Sequence, residues 1–399
     1  MYRLRQRCNH CIADTRDTRV AVFIFVLGFL LLTLRSPAQA QLSCDNPFEG
    51  QIVPFSRQHW DLTDFCQHTV PFSEIFDAGP SRDTIPPIDN PMFVSADAAS
   101  AWLRPQSPVI AIEVGGLARA YPLEIMIWHE IVNDVIADIP VVITYCPLCN
   151  SALVFDRRVG DDVLRFGTTG KLRNSDLIMW DDKTQSWWQQ FTGDAIVGAY
   201  SGTQLAFIPS QMVSFGAFAE QFPDGEILSR NTGAIREYGI NPYLEYDNKE
   251  RPPGFLAEID ERLPATERVL AGIVDGEPIA YPFTLLAEQQ VVNDIIGTKP
   301  VVAIWQPGVA SALDEADINT SRDIGMAALY SRAVEDAILT FWVDEEANIR
   351  DMETGSTWNI FGEAIAGDLA GTQLRPLLAA PHFWFAWAGF QPQTAVYGQ

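Results

Sequence analysis

Basic residues are scarce in this 399-residue chain: 27 Lys and Arg stand against 51 Asp and Glu, a formal charge of −24. That balance argues against a nucleic-acid partner, because a phosphate backbone needs a basic face. Long apolar runs are missing as well. The stretch Val20 to Leu34 counts fifteen residues, short of the roughly 20 that a membrane-spanning helix needs. The chain has no nucleotide-binding glycine loop, no G-x-S-x-G elbow and no H-E-x-x-H zinc helix. The usual signatures of dinucleotide enzymes, α/β hydrolases and zinc proteases are therefore absent. Histidine is limited to five residues and cysteine to six.

Hydrophobic residues supply 47% and aromatics 11% of the chain, enough for one or two packed cores and inconsistent with disorder. The first 40 residues have the form of an export signal. Arg3, Arg5, Arg7, Arg16 and Arg19 precede the apolar run, and Ala38-Gln39-Ala40 closes it with small residues. Cleavage there leaves a mature chain of formal charge −28. The expected location is periplasmic or secreted, with no membrane contact in the mature form. The alternative is a leader retained as a membrane anchor. Cys8, His10 and Cys11 look like a metal motif but fall within this leader. Export places Cys44 and Cys66 in an oxidising compartment, where a disulfide between them is expected; closing a loop of about 22 residues contributes roughly 3 kcal/mol in the chain-entropy model.

The chain also repeats itself. Residues 109–153 align without a gap to 269–313, and 18 of these 45 positions are identical. Thr184 to Trp188 answers Thr354 to Trp358, and Gly202-Thr203-Gln204-Leu205 answers Gly371-Thr372-Gln373-Leu374. The expected organisation is a signal peptide over 1–40 and an amino-terminal segment over 41–85. A first copy over 86–240, a linker over 241–268 and a second copy over 269–399 follow. Arg251-Pro252-Pro253-Gly254 marks the linker as a connector running over the surface. Each copy reads as strand-dominated α+β without a parallel βαβ rhythm. A hairpin turns at Gly115-Gly116, an apolar helical pattern runs from Leu123 to Val135, and Val141–Tyr145 and Ala152–Phe155 are strands flanking a tight turn. Ser214 to Gln221 reads as a short helix. Phe383 to Trp387 reads as core packing.

Comparing the copies separates scaffold from chemistry. Both keep Tyr121/Tyr281, Asn133-Asp134/Asn293-Asp294 and Trp188/Trp358, while Cys146 faces Gln306, Cys149 faces Val309 and His129 faces Gln289. The loop from Lys171 to Asp176 lies where the second copy is shorter by five residues. The second copy is therefore expected to be degenerate. In Tyr145-Cys146-Pro147-Leu148-Cys149-Asn150, strands on both sides make a knuckle that points two sulfurs at one metal ion. Cys146, Cys149 and His129 form the expected ligand set, with Met179, Asp176 or an exogenous group as fourth. Such a soft set suits copper, with zinc also acceptable. Lys171, Arg173, Asn174 and Asp176 are candidates for an anionic group, and Glu130 for orienting His129 or acting as a base.

Several of these stretches together resemble a known family. They are Ile85-Pro86-Pro87-Ile88-Asp89-Asn90-Pro91, Ala120-Tyr121-Pro122-Leu123, Trp128-His129-Glu130-Ile131-Val132-Asn133-Asp134, Tyr145-Cys146-Pro147-Leu148-Cys149 and Asn174-Ser175-Asp176-Leu177. The chain resembles DUF3179, an exported bacterial and archaeal family of unknown function, over about residues 85–397. Asn150 stands where that family typically has Gly, and Arg173 where an aromatic is commoner. The resemblance implies an intact member but no activity. Three functions stay open. The leading one is an exported soft-metal-binding or metal-dependent redox protein, partnered by a metal donor or a redox protein. The others are a thiol–disulfide or Cys-dependent enzyme using Cys146 with His129, and a non-catalytic binding module whose CPLC pair is a structural disulfide.

Overall fold

A computed structural model describes residues 44, 46–252, 255 and 257–399; the leader, with Cys8, His10 and Cys11, lies outside them. Strands dominate, at 39% against 12% helix, and the α+β expectation holds. Cys44 and Cys66 are both disulfide-bonded, in keeping with the expected Cys44–Cys66 bridge. Residues 46–399 make one compact unit.

The first run of elements begins with β1 (Ile75–Asp77), then β2 (Pro108–Val114) and β3 (Leu117–Pro122). Gly115 and Gly116, with φ of 60° and 81°, form the two-residue turn between β2 and β3. Positive φ at both positions is what a type I′ hairpin demands. Helix α1 (Leu123–His129) starts after Pro122 and stops at Glu130, whose φ of 58° is left-handed. This corrects the longer helix expected to Val135. Ile131, Val132, Val135 and Ile136 are β-branched and pair instead as strand β4 (Ile131–Ile136) with β5 (Ile139–Cys146). Ala137 and Asp138, at φ of 47° and 65°, turn the chain between them. Strand β6 (Ser151–Asp156) continues this sheet, followed by β7 (Phe166–Arg173), β8 (Asp176–Asp181), β9 (Trp187–Gln189), β10 (Ala195–Val197), β11 (Phe207–Ile208), β12 (Gln211–Ser214) and helix α2 (Phe215–Gln221).

Two of the resulting sheets hold the site. One has the order β11-β6-β5-β4, the other β1-β7-β8-β9-β10, and both are antiparallel. Asn133 ties them together, donating from Nδ2 to the Phe166 carbonyl at 2.8 Å and accepting from Phe166 N–H at 2.9 Å.

The same order of lengths recurs 160 residues on. It comprises β13 (Arg268–Val274), β14 (Glu277–Pro282), α3 (Phe283–Gln289), β15 (Val291–Ile296) and β16 (Lys299–Gln306). Asn293 bonds both backbone groups of Phe341 as Asn133 bonds those of Phe166, and Tyr281 donates to Asp294 as Tyr121 donates to Asp134. After Gln306 the two runs part. β16 pairs next with β17 (Met326–Ser331), Gln306 lying opposite Met326, whereas Cys146 lies opposite Ser151. The gap-free alignment through residue 313 thus fails in space: Val309 lies in a long excursion, not in a tight turn. Strand β18 (Ala379–Phe383) and helix α4 (Trp384–Phe390) complete this run, and Trp384 to Trp387 are core, as their apolar pattern implies.

Residues 241–268 depart from the expected surface connector. Tyr246, Asp247, Phe255 and Ala265 are buried. Arg268 donates from Nη2 to Asp247 at 2.8 Å, with Ser311 Oγ donating to the same carboxylate oxygen at 2.6 Å. Two buried charges need such mutual compensation, since either alone would carry a desolvation penalty of several kcal/mol.

Candidate metal centre

Two hairpin tips meet to make the site. β5 ends at Cys146, Pro147 to Cys149 form one 3-10 turn, and Asn150 at φ 48° returns the chain into β6. Proline fits the first position of that turn because it needs no N–H partner there, and asparagine tolerates the left-handed exit. The second tip joins β7 to β8 through Asn174 and Ser175, at φ of 52° and 59°. This turn lays the Ser175 carbonyl 3.5 Å from Cys149 Sγ and 3.8 Å from Cys146 Sγ. Asp176, the first residue of β8, follows directly.

Cys146 Sγ, Cys149 Sγ and a carboxylate oxygen of Asp176 lie within 4.8 Å of one another, and all three residues are buried. Both cysteines are free thiols. Asp176 Oδ2 accepts from Gln189 Nε2 at 2.6 Å and from Phe191 N–H at 2.9 Å. Its Oδ1 has no oxygen or nitrogen donor, which leaves that oxygen to the sulfurs. Gln189 and Phe191 therefore aim the carboxylate, a supporting role that metal ligands ordinarily require.

Burial sets the electrostatics. It pushes the Cys146 thiol up, and the Cys149 thiol well above its ordinary range, where the neighbouring Cys146 and Asp176 add to the effect. Burial also raises the Asp176 carboxyl to about 7, against the pull of Gln189 and Phe191. Glu130, desolvated and facing the Asp176 charge, is pushed up to about 8. Among the described residues, no cation side chain pairs with these groups at the tips. Lys171 Nζ is held 2.5 Å from Asp77, and Arg173 Nε 2.8 Å from Glu74. A set of acids and thiols crowded into a dry site without a counter-charge either stays protonated or binds a cation.

His129 does not join the sulfurs. Its Nδ1 lies 2.6 Å from the Pro86 carbonyl and its Nε2 2.7 Å from Tyr238 Oη. With both nitrogens engaged, it is a buried, hydrogen-bonded histidine that braces the chain around Tyr238. The reason is the short helix: α1 ends at His129, and the left-handed Glu130 turns the backbone into β4. Glu130, adjacent in sequence, is the residue that reaches the thiols' surroundings. Met179 packs into the hydrophobic core with Leu177. Lys171 and Arg173 are tied to carboxylates, and Asn174 donates to the Gly389 carbonyl at 3.4 Å, so the polar loop forms no free basic pocket.

Other contributors were not singled out from sequence. Tyr243 and Tyr246 stand close enough to the cysteines for thiolate charge to raise their hydroxyls further, after burial. Both come from the connector, where two tyrosines in a polar, proline-rich stretch were the available signal. A cavity of about 420 Å³ reaches the CPLC turn at Leu148 and is also lined by Glu130, Leu177 and Tyr243.

The family profile described as Protein of unknown function (DUF3179) matches residues 82–394. The chain belongs to this family. No curated protein and no solved structure matches it. As a DUF3179 member, the chain carries both hairpin tips of the site inside the matched region. Among the described residues, no helix is long and apolar enough to cross a membrane.

Proposed function

We propose that this protein is an exported metal-binding protein whose centre is Cys146, Cys149 and Asp176, with a fourth position left to an exogenous ligand. The supporting observation is the convergence of two buried sulfurs with a buried carboxylate whose free oxygen has no other donor. Replacing the imidazole expected from sequence by a carboxylate hardens the set. Zinc accepts thiolate and carboxylate ligands together, while Cu(I) favours thiolates and thioethers. Zinc therefore stands ahead of copper. Three protein ligands and an open position are the count of a reactive or exchanging site rather than a closed structural one. Bound metal would also lower the thiol pKa values that burial raises. The second run of elements is, on this reading, a degenerate copy: it keeps the Tyr–Asp and Asn braces and has exchanged the four-residue CPLC turn for the excursion after Gln306. The disulfide at Cys44 and Cys66 fits an oxidising compartment.

A thiol–disulfide role is the second reading, favoured by the closeness of two free thiols that share the Ser175 carbonyl. It is weakened because Cys146 caps only a single three-residue 3-10 turn, too short for the aligned dipole that stabilises a thiolate at a longer helix N-terminus. Metal analysis of the purified protein, with free-thiol counting, separates the two. The proposal expects about one zinc per chain, lost in Cys146→Ser and bound at least tenfold more weakly in Asp176→Asn. A metal-free protein with a Cys146–Cys149 disulfide that exchanges with small thiols would replace it by the second reading.

A further inference from the structure

The cavity of about 420 Å³ that reaches the CPLC turn holds an acid without a partner. Glu130 is 7% exposed, and among the described residues neither of its carboxyl oxygens takes a hydrogen bond or an ion pair. Those oxygens are nonetheless open to solvent-sized space, in contrast to the sealed Oδ1 of Asp176. The Tyr243 hydroxyl stands the same way, unpartnered and unsealed, and close enough to Glu130 to feel its charge. Two polar groups thus open into one cavity whose other walls, Phe76, Leu148, Leu172 and Leu177 among them, are chiefly apolar. Buried polar groups are almost always satisfied, so a partnerless acid lining a cavity needs an explanation.

The fold itself does not supply one. Gln290 is the counterpart of Glu130 in the second run, following α3 with φ of 60° where Glu130 follows α1 with φ of 58°. Each accepts at its backbone carbonyl from a strand N–H, that of Tyr145 at 2.8 Å and that of Trp305 at 2.7 Å. An amide of the same shape therefore serves the turn, and the scaffold does not need the carboxyl. Nor does a neighbouring cation claim it. Lys171 and Asp77 border the cavity, but strand register turns both side chains away. Asp77 lies opposite Lys171 and Lys171 opposite Ile178, whereas Phe76 lies opposite Leu172 and Leu172 opposite Leu177. The Lys171 ammonium sits 5.4–5.9 Å from the ring centres of Phe55, Trp60 and Trp187, which pack with Ile178 on the other face of the sheet. Among the described lining residues, Glu130 is thus the one ionisable carboxyl facing in.

The missing counter-charge defines the guest. A metal ion takes several oxygen, nitrogen or sulfur ligands, and one carboxylate with one hydroxyl among apolar walls does not provide them. An organic ammonium asks for less. Its N–H groups donate to the carboxylate in a charge-assisted bond and to the tyrosine oxygen, while its hydrocarbon body covers the walls. The volume falls within the roughly 300–1,000 Å³ of small-molecule sites. We infer that this cavity binds a small primary amine with an apolar body, its ammonium held by Glu130 and Tyr243. The site uses none of the proposed metal ligands and does not depend on bound metal. Titration of the purified, chelator-treated protein with phenethylamine and with its neutral counterpart phenethyl alcohol, followed by ligand-observed NMR at pH 8 and physiological salt, tests the assignment; the salt screens attraction to the acidic surface. Phenethylamine is expected to bind about tenfold more tightly than the alcohol. Glu130→Gln installs a residue that the equivalent turn already accepts, and should bring that ratio close to one. Leu172→Trp, on the half-buried wall, should weaken both ligands together. Equal binding of the two probes to the unmodified protein, no phenethylamine binding at millimolar concentration, an unchanged ratio in Glu130→Gln, or undiminished binding in Leu172→Trp overturns the inference. The comparison of the unmodified protein with Glu130→Gln decides the matter even where Leu172→Trp fails to fold.

Discussion

Asp176→Asn gives the sharpest test of how the candidate centre is poised. In the metal-free protein the Asp176 carboxyl is raised from 3.8 to about 7, chiefly by desolvation. Each pKa unit corresponds to about 1.4 kcal/mol, so the ionised carboxylate destabilises the metal-free fold by about 4 kcal/mol. The folded state keeps this proton over a window where the unfolded state releases it. The stability linked to Asp176 is therefore full below pH 3.8 and is lost as pH rises through about 7. Asparagine removes the titration while its side-chain oxygen still accepts from Gln189 and Phe191, and its amide replaces the partnerless Oδ1. The variant also removes the charge that repels Glu130, which acts in the same direction.

Urea unfolding of both proteins with a chelator present, at pH 4 and pH 8, measures the effect. Other groups titrate as well, so the informative quantity is the difference between variant and parent. That difference should move in the variant's favour by several kcal/mol between the two pH values. With zinc in place of chelator the variant's advantage at pH 8 should shrink by at least about 1.4 kcal/mol, the equivalent of the tenfold tighter binding expected of the parent. A pH-independent difference, or a parent that is the more stable at pH 8 without metal, would refute the reasoning.

Three further outcomes follow from buried contacts. Asp181 accepts from Thr184 N–H at 2.7 Å and Trp188 Nε1 at 2.9 Å, and Asp351 accepts from Thr354 N–H at 2.6 Å and Trp358 Nε1 at 2.9 Å. Asp181→Ala and Asp351→Ala should each cost about 3 kcal/mol in denaturant unfolding, and similar amounts, because each strands the same buried donors. Arg268→Met leaves Asp247 buried with Arg322 at 3.0 Å as its remaining ionic partner; a loss of about 3 kcal/mol is expected, mostly restored by adding Asp247→Asn. Burial lowers His382 from 6.5 to about 3, so the stability linked to it is full above pH 6.5 and falls as pH drops toward 3. His382→Phe should thus gain about 3 kcal/mol on the parent between pH 7 and pH 4 in thermal or urea unfolding.

What could be read from sequence was what local pattern and covalent spacing determine. The Gly115-Gly116 hairpin needs two positive φ values, and the CPLC turn needs a proline start and an αL exit; both requirements are visible in the residues themselves. Internal repetition marked Tyr121, Asn133, Asp134 and Trp188, which make matching contacts in both runs. His129 disappears from the second run alongside the thiols, yet its two ring nitrogens are engaged by Pro86 and Tyr238. The structure gives that histidine an interaction of its own: it reaches Tyr238. Two features can vanish together because each depends on its own partner. Asp176 had the opposite problem, being one of several polar residues in a loop. What distinguishes it is a two-residue turn that sets the β7–β8 register and carries its carboxylate to sulfurs about 30 positions back. Such a meeting depends on sheet-to-sheet contact through Asn133 and Phe166, a tertiary fact that no spacing encodes. Aligned loss therefore pointed to a pair of sulfurs that the structure brings together with Asp176, while His129 is engaged by Pro86 and Tyr238 instead.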